Sequence, residues 1–303
     1  MLKKTAAVLL LAVIAATALF SACGDEKPAD TGNAPQTAPA ADKETETAAG
    51  TGAEDIRTGD PDPRGLSGFE NFLRIKDRLA NEKNYSADGY STVSTKVLFF
   101  TYTQEIWTCK DFSDGVMIQA DIAKSTFVNS AWQTCFFAGN AYMRGPESSS
   151  SGRWDGRNTE WETEPPESYS YEEYTGKYGL LGTEISVYEL NADTVICTGE
   201  VTKNEDGTYS VTLYPDVEKS ALYYKKRMTT MGDLSKEPEF KSISITYVFD
   251  SGWRLLRSHT EENYSVKMGI ISSDDCSAVT DFTYTYGTAD ISDYYGYFAS
   301  YAK

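Results

Sequence analysis

The chain has one histidine, His259, in 303 residues. It lies in a strand-like stretch after Trp253 where nothing nearby forms a nucleophile–base pair in sequence, and a lone histidine on a strand is usually structural. No zinc-ligand spacing, phosphate-binding loop or EF-hand pattern occurs, and neither a metal nor a cofactor is expected. Basic residues are scarce: 28 Lys and Arg stand against 45 Asp and Glu, for a net charge of −17. A chain this acidic repels phosphate backbones and anionic headgroups, which excludes nucleic acid as a partner and adhesion to a membrane by charge. The uncharged apolar run Ala6 to Phe20 is too short to cross a bilayer comfortably. Between Gly24 and Leu66 there is no Phe, Tyr or Trp, and ten acids face four bases. Such a stretch cannot bury enough apolar surface to offset its ordering entropy, and its like charges extend it.

What is present at the N-terminus gives that apolar run a meaning. Lys3 and Lys4 precede it, and Phe20-Ser21-Ala22-Cys23 closes it with small residues and a cysteine. This is the layout of a secretory signal peptide, and the cysteine after the cleavage site resembles a bacterial lipobox. The resemblance implies diacylglycerol attached to the Cys23 thiol and cleavage before it. Two or three acyl chains, at about 0.8 kcal/mol per buried methylene, hold a protein firmly. The expected organisation is therefore a signal peptide over 1–22, a lipidated Cys23 with a disordered acidic linker over 23–66, and one domain over 67–303. Removal of Lys3 and Lys4 leaves the mature chain two units more negative.

Aromatic residues make up 13% of the chain, with 21 Tyr, which suits a β-rich domain. Ser67-Gly68-Phe69-Glu70 has a capping-box pattern, and Phe69, Phe72, Leu73, Ile75 and Leu79 follow at helical spacing, predicting a helix over 68–82. Strands are expected over 92–107, 116–122, 131–138, 141–144, 183–190, 194–203, 209–214, 242–249, 253–270 and 279–286. Within the first, Val97 to Phe100 is apolar on both faces and is expected to be buried on both. Val217, Ala221, Tyr224, Met228 and Met231 form one continuous face, predicting a second helix from Pro215 to Gly232. The segment 145–182, with Trp154, Trp161, Tyr169, Tyr171 and Tyr174, breaks the pattern and reads as a flexible, partly ordered flap. Its acids, Glu160 to Glu173, read as a solvated face. The class is α+β, an antiparallel sheet of about nine or ten strands with two main helices.

One family shares this layout. The stretch from Asp206-Gly207-Thr208-Tyr209 through the Val217–Met231 helix to Asp250-Ser251-Gly252 and Glu262-Asn263-Tyr264 resembles the LolA/LppX/LprG-type lipoprotein carriers, among them uncharacterised Gram-positive lipoproteins. The resemblance implies a strongly curved half-barrel sheet with helices on its concave face and an apolar space between them that holds acyl chains. It carries no catalytic motif, so no enzyme is expected, and it favours the outer face of a Gram-positive cell membrane.

Two functions follow. In the first, the cleft takes a lipid or other apolar ligand, walled by Val211, Leu213, Tyr224, Met228, Met231, Ile243, Ile245, Tyr247 and Phe249. These residues equally suit plain packing of helix on sheet. In the second, a cell-surface interaction or assembly protein binds a protein or glycan through exposed Trp154, Trp161, Tyr169, Tyr171 and Tyr174. Apart from Cys23, the cysteines are Cys109, Cys135, Cys197 and Cys276. They allow two disulfides in three pairings, with Cys109–Cys135 favoured because their strands are close in sequence, or equally four thiols in a reducing habitat.

Overall fold

The computed structural model describes residues 61–97, 100–125, 129–146, 159–232, 234–268 and 271–302. Cys23, the N-terminal apolar run, most of the acidic linker and Trp154 lie outside them. The first element is helix α1, Gly68–Ala80. Its capping box is formed: the Ser67 hydroxyl accepts from the Glu70 amide at 3.2 Å, and Glu70 accepts from the Ser67 amide at 2.8 Å. Phe72, Ile75 and Leu79 are buried on one stripe, with Asn71 beside them, whereas Leu73 is 45% exposed.

Twelve strands form one antiparallel sheet: β1 Asn84–Val97, β2 Phe100–Ser113, β3 Val116–Ser125, β4 Asn129–Phe137, β5 Asn140–Arg144, β6 Glu167–Ser170, β7 Val195–Thr198, β8 Thr202–Lys203, β9 Tyr209–Pro215, β10 Lys236–Phe249, β11 Leu255–Met268 and β12 Ile271–Tyr286. Their order is β6-β5-β4-β3-β2-β1-β12-β11-β10-β9-β7, with β8 also on β9. The class is α+β, as the sequence implies, with twelve strands rather than nine or ten. Two hairpins turn on residues in the left-handed region, Asp114-Gly115 and Ala138-Gly139, the backbone that a two-residue turn between twisted strands requires. The expected strand 92–107 is two strands, because Val97 and Phe100 pair with each other across a reversal. Phe100 is 65% exposed, so the expected two-sided burial is not found there. It is found instead on β3, where Met117 and Gln119 are buried on one face and Ile118 and Ile122 on the other.

Three further helices complete the fold: α2 Tyr171–Tyr178, α3 Leu222–Gly232 and α4 Ser292–Ala299. Helix α3 starts later than expected. Pro215 still pairs in the sheet, the Asp216 amide donates to the Thr194 carbonyl at 2.7 Å, and the chain turns through 217–221 before the helix begins. The expected strand over 183–190 is absent; that segment crosses the face of the sheet in turns, tied by the Glu189 amide to the Ser220 carbonyl.

The sheet curls. Helix α3 packs on β10 and on α2, yet its Arg227 reaches Asp121 on β3 at 3.4 Å. Strands β3 and β10 are five steps apart in the sheet order, and at ~4.8 Å per step a flat sheet would hold them roughly 24 Å apart. One helix touches both only because the strands bend around it. Phe72 of α1 lies against Tyr247 of β10 at 5.5 Å, and Tyr174 of α2 against Phe136 of β4 at 5.0 Å. So α1, α2 and α3 occupy the concave side. The tyrosine-rich tail, α4, covers the convex side instead, burying Phe298 against Ile118, Cys135, Phe137 and Tyr142.

Candidate ligand-binding cleft

Inward parity on the central strands defines the floor of a cleft. Because side chains alternate between faces, Thr108 and Lys110 on β2, Gln119 and Asp121 on β3, Ile245 and Tyr247 on β10, Thr260, Glu262 and Tyr264 on β11, and Phe282 and Tyr284 on β12 point the same way. Tyr224, Arg227 and Met228 of α3 face them, and Leu181 to Val187 closes one side. The space between is a cavity of about 210 Å³. Pockets for drug-sized ligands run from about 300 to 1,000 Å³, so this conformation suits a small or single-chain occupant rather than a two-chain lipid.

One corner is a polar network satisfied within the protein. Asp121 is buried and accepts from the Thr108 hydroxyl and the Gln119 amide, both at 2.7 Å, and from the Arg227 guanidinium at 3.4 Å. The Lys110 ammonium donates to the Gly182 carbonyl at 2.9 Å. Burial pulls the Lys110 pKa down to about 8, against the pull of Asp121 in the other direction. Gly182 is required by the close approach: a Cβ there would lie 2.5 Å from Gln119 Oε1 and 2.7 Å from the Phe136 ring.

The opposite corner is different. Glu262 pairs across the sheet with Ala278, Ala278 with Val93, and Val93 with Gln104, which is six residues along β2 from Lys110. Glu262 is 4% exposed, and its Oε2 makes no hydrogen bond among the described residues. Burial raises its carboxyl to about 7, with the neighbouring Tyr188 hydroxyl pulling the other way. The Tyr188 hydroxyl is itself buried without a partner among the described residues.

Of the wall expected from the sequence, Tyr224, Met228, Ile245 and Tyr247 line the cavity. Val211, Leu213, Ile243 and Phe249 do not; they are buried in the main core, where Phe249 stacks on Tyr209 at 5.9 Å. Met231 belongs to α3, but its side chain is outside the described residues. Lys110, Asp121, Arg227 and Glu262 were not anticipated.

The expected exposed aromatic flap needs correction. Trp161 is buried against Ala120, Ile122 and Ala131, and Tyr174 against Phe136. Tyr169 and Tyr171 are half-buried. A strand and a helix order this part of the segment. Ser170 and Glu173 form a second capping box, with the Ser170 hydroxyl accepting from the Glu173 amide at 3.2 Å and Glu173 accepting from the Ser170 amide at 2.8 Å. The disulfide favoured from the sequence is also absent: Cys109, Cys135, Cys197 and Cys276 are all thiols. Cys109 sits on β2 opposite Ala120 and Cys135 on β4 opposite Ile118, so strand β3 separates them and a two-residue offset adds to the gap. That exceeds the ~7 Å Cα reach of a disulfide.

His259 lies on the convex face, its Nδ1 2.7 Å from Asp281 and its Nε2 3.4 Å from Glu261, and takes no part in the cleft. No group of three or more metal-ligating side chains gathers among the described residues, and no helix among them is long and apolar enough to cross a membrane.

No family model and no curated protein matches the chain. Among solved structures, it is similar to LprF from Mycobacterium bovis at 12% identity and a TM-score of 0.33, covering 77% of this chain and 97% of that one. It is similar to a domain named as an outer membrane lipoprotein-sorting protein from Vibrio parahaemolyticus at 8% identity and a TM-score of 0.29, over 75% and 94% of the two chains. A DUF1329 family protein from Desulfovibrio piger matches at 12% identity and a TM-score of 0.27, over 78% and 98%. Likenesses at this level carry no argument about activity or ligand.

Proposed function

We propose that the chain is a lipid-anchored, extracytoplasmic binding protein that holds a short single-chain amphiphile between its curved sheet and helix α3. The observation that carries this reading is the cavity of about 210 Å³ left between the sheet and α3. Side chains would fill it if the strands and helices merely packed. Its walls are of mixed character: Ile245, Tyr247, Met228 and Phe282 offer apolar surface, and Glu262 and Lys110 mark two distant polar corners. An amphiphile uses both. The Met228 thioether suits a wall that adapts to more than one chain shape. The Phe20–Cys23 signal supports anchoring by Cys23 to the outer face of a cell membrane, a Gram-positive one by resemblance, with the acidic linker as spacer. The reading is binding rather than catalysis, because Glu262 and Lys110 stand in opposite corners of the cleft.

Burial of Trp161 and Tyr174 removes two of the five residues from the alternative of an aromatic surface that grips a protein or glycan. The test is uptake of a fluorescent octyl-chain probe by the full chain. Wild type takes it up, and Thr260→Phe, which fills the floor from β11, loses it. Equal uptake by both, or none by wild type, overturns the reading.

A further inference from the structure

The Glu262 corner combines an unmet charge with a cluster of aromatic rings. Tyr188 and Tyr224 lie edge to face at 5.4 Å, while Tyr224 and Phe240, at 5.8 Å, and Phe240 and Tyr264, at 5.3 Å, are tilted against each other. Tyr224, Tyr264 and Glu262 all open onto the cavity. Burial and the nearby Glu262 push the phenol pKa values of Tyr224 and Tyr264 up, so both rings are neutral when the carboxylate is charged.

Among the described residues, no cation answers that carboxylate. Arg227, on the same face of α3, is turned to Asp121 at 3.4 Å. Lys225, one residue on from Tyr224, is held by Glu218 at 2.6 Å. A buried carboxylate with one oxygen left without a hydrogen bond and no cation beside it is costly to keep. The polar corner at Asp121 shows that this fold can satisfy a buried acid where it has one. Electron-rich ring faces beside a desolvated carboxylate are the chemistry that recognises ammonium groups.

We propose that Glu262, with the rings of Tyr224 and Tyr264, forms the headgroup end of the cleft and takes an ammonium group, primary or quaternary, at the end of a short amphiphile. This rests on the reading of the cavity as an amphiphile site, and it names the class of ligand. An anionic headgroup would be repelled by Glu262, and Lys110 and Arg227 at the other corner already have acceptors in Gly182 and Asp121.

The test compares three probes of equal chain length on the full chain: octyltrimethylammonium, octyl glucoside and octanoate, each displacing the fluorescent octyl probe at about pH 8, where Glu262 is ionised. The ammonium probe is expected to bind about tenfold more tightly than the glucoside, the size of one desolvated cation–π or ion contact. Glu262→Gln should lose about that factor for the ammonium probe and leave the glucoside unchanged. Tyr224→Leu, which keeps apolar bulk and removes the ring, should weaken the ammonium probe selectively. If the glucoside or octanoate binds as well as the ammonium probe, or Glu262→Gln weakens all three alike, the headgroup assignment is wrong while the cleft reading stands. If no probe binds, both fall.

Discussion

Replacing Glu262 with Gln should stabilise the ligand-stripped chain, and the gain should depend on pH in a specific way. Burial raises this carboxyl from 4.5 to about 7. At ~1.4 kcal/mol per pKa unit, the ionised form costs the fold about 3 kcal/mol. The folded-state pKa lies above the unfolded one, so between the two the folded chain keeps a proton that the unfolded chain releases, and wild-type stability falls as pH rises. Below about 4.5 the acid is neutral in both states, and the Gln variant should match wild type. The gap should open through the interval up to 7 and level off above it at about 3 kcal/mol, since both states are then ionised. The groups around Glu262 are the Tyr188, Tyr224 and Tyr264 phenols, neutral throughout this range. Other titrations are common to both proteins and cancel in the difference. Urea denaturation followed by tryptophan fluorescence at acidic, neutral and mildly alkaline pH reads the gap. A gap that does not change with pH, or a variant less stable than wild type at alkaline pH, would mean that the carboxylate is already paired, and the reasoning would fail.

Phe298→Ala should cost about 3–5 kcal/mol and loosen α4 from the convex face; Cys135 beneath it, whose thiol pKa burial raises to about 12, should then react with a thiol probe that leaves wild type untouched. Gly89→Ala places a Cβ 2.4 Å from the Phe282 ring, so the ring must tilt into the cleft. A stability loss of about 1–3 kcal/mol in denaturation and weaker uptake of the octyl probe are expected. Asn71→Ala leaves the buried Trp253 indole N–H without its partner, at roughly 1–3 kcal/mol for the orphaned donor in urea denaturation. His259 should titrate above its ordinary value because of the hydrogen bond to Asp281. Its contribution to stability is full below the unfolded pKa and fades as pH rises through the folded one, and an NMR titration of Asp281→Asn should show the value return downward.

Where local chemistry decides an element, the sequence showed it. Ser67 and Glu70 announce α1 three residues apart, and period-two alternation marks β9, β10 and β12. The same spacing logic misled at α3, because the apolar face from Val217 runs unbroken through residues that the Thr194 carbonyl and the Pro215 pairing keep out of the helix. Helix α2 was missed although Ser170 and Glu173 repeat the capping-box pattern, since the surrounding tyrosines and acids hid it. In the cleft, the apolar part on β10 and α3 could be read because those elements are neighbours in sequence. The polar corners could not, because Lys110, Asp121 and Arg227 meet only when the sheet curls. Nor could Glu262, whose neighbour Glu261 is also acidic and whose inward position is fixed only by the pairing of β11 with β12.

The most direct measurement is native mass spectrometry of the full chain purified without added detergent-like amphiphiles, followed by organic extraction. A co-purifying small-molecule mass, extractable as a single-chain amphiphile, should be retained by wild type and lost from Thr260→Phe. A bare protein mass that takes up none of the offered octyl amphiphiles, for wild type and variant alike, would contradict the proposed function.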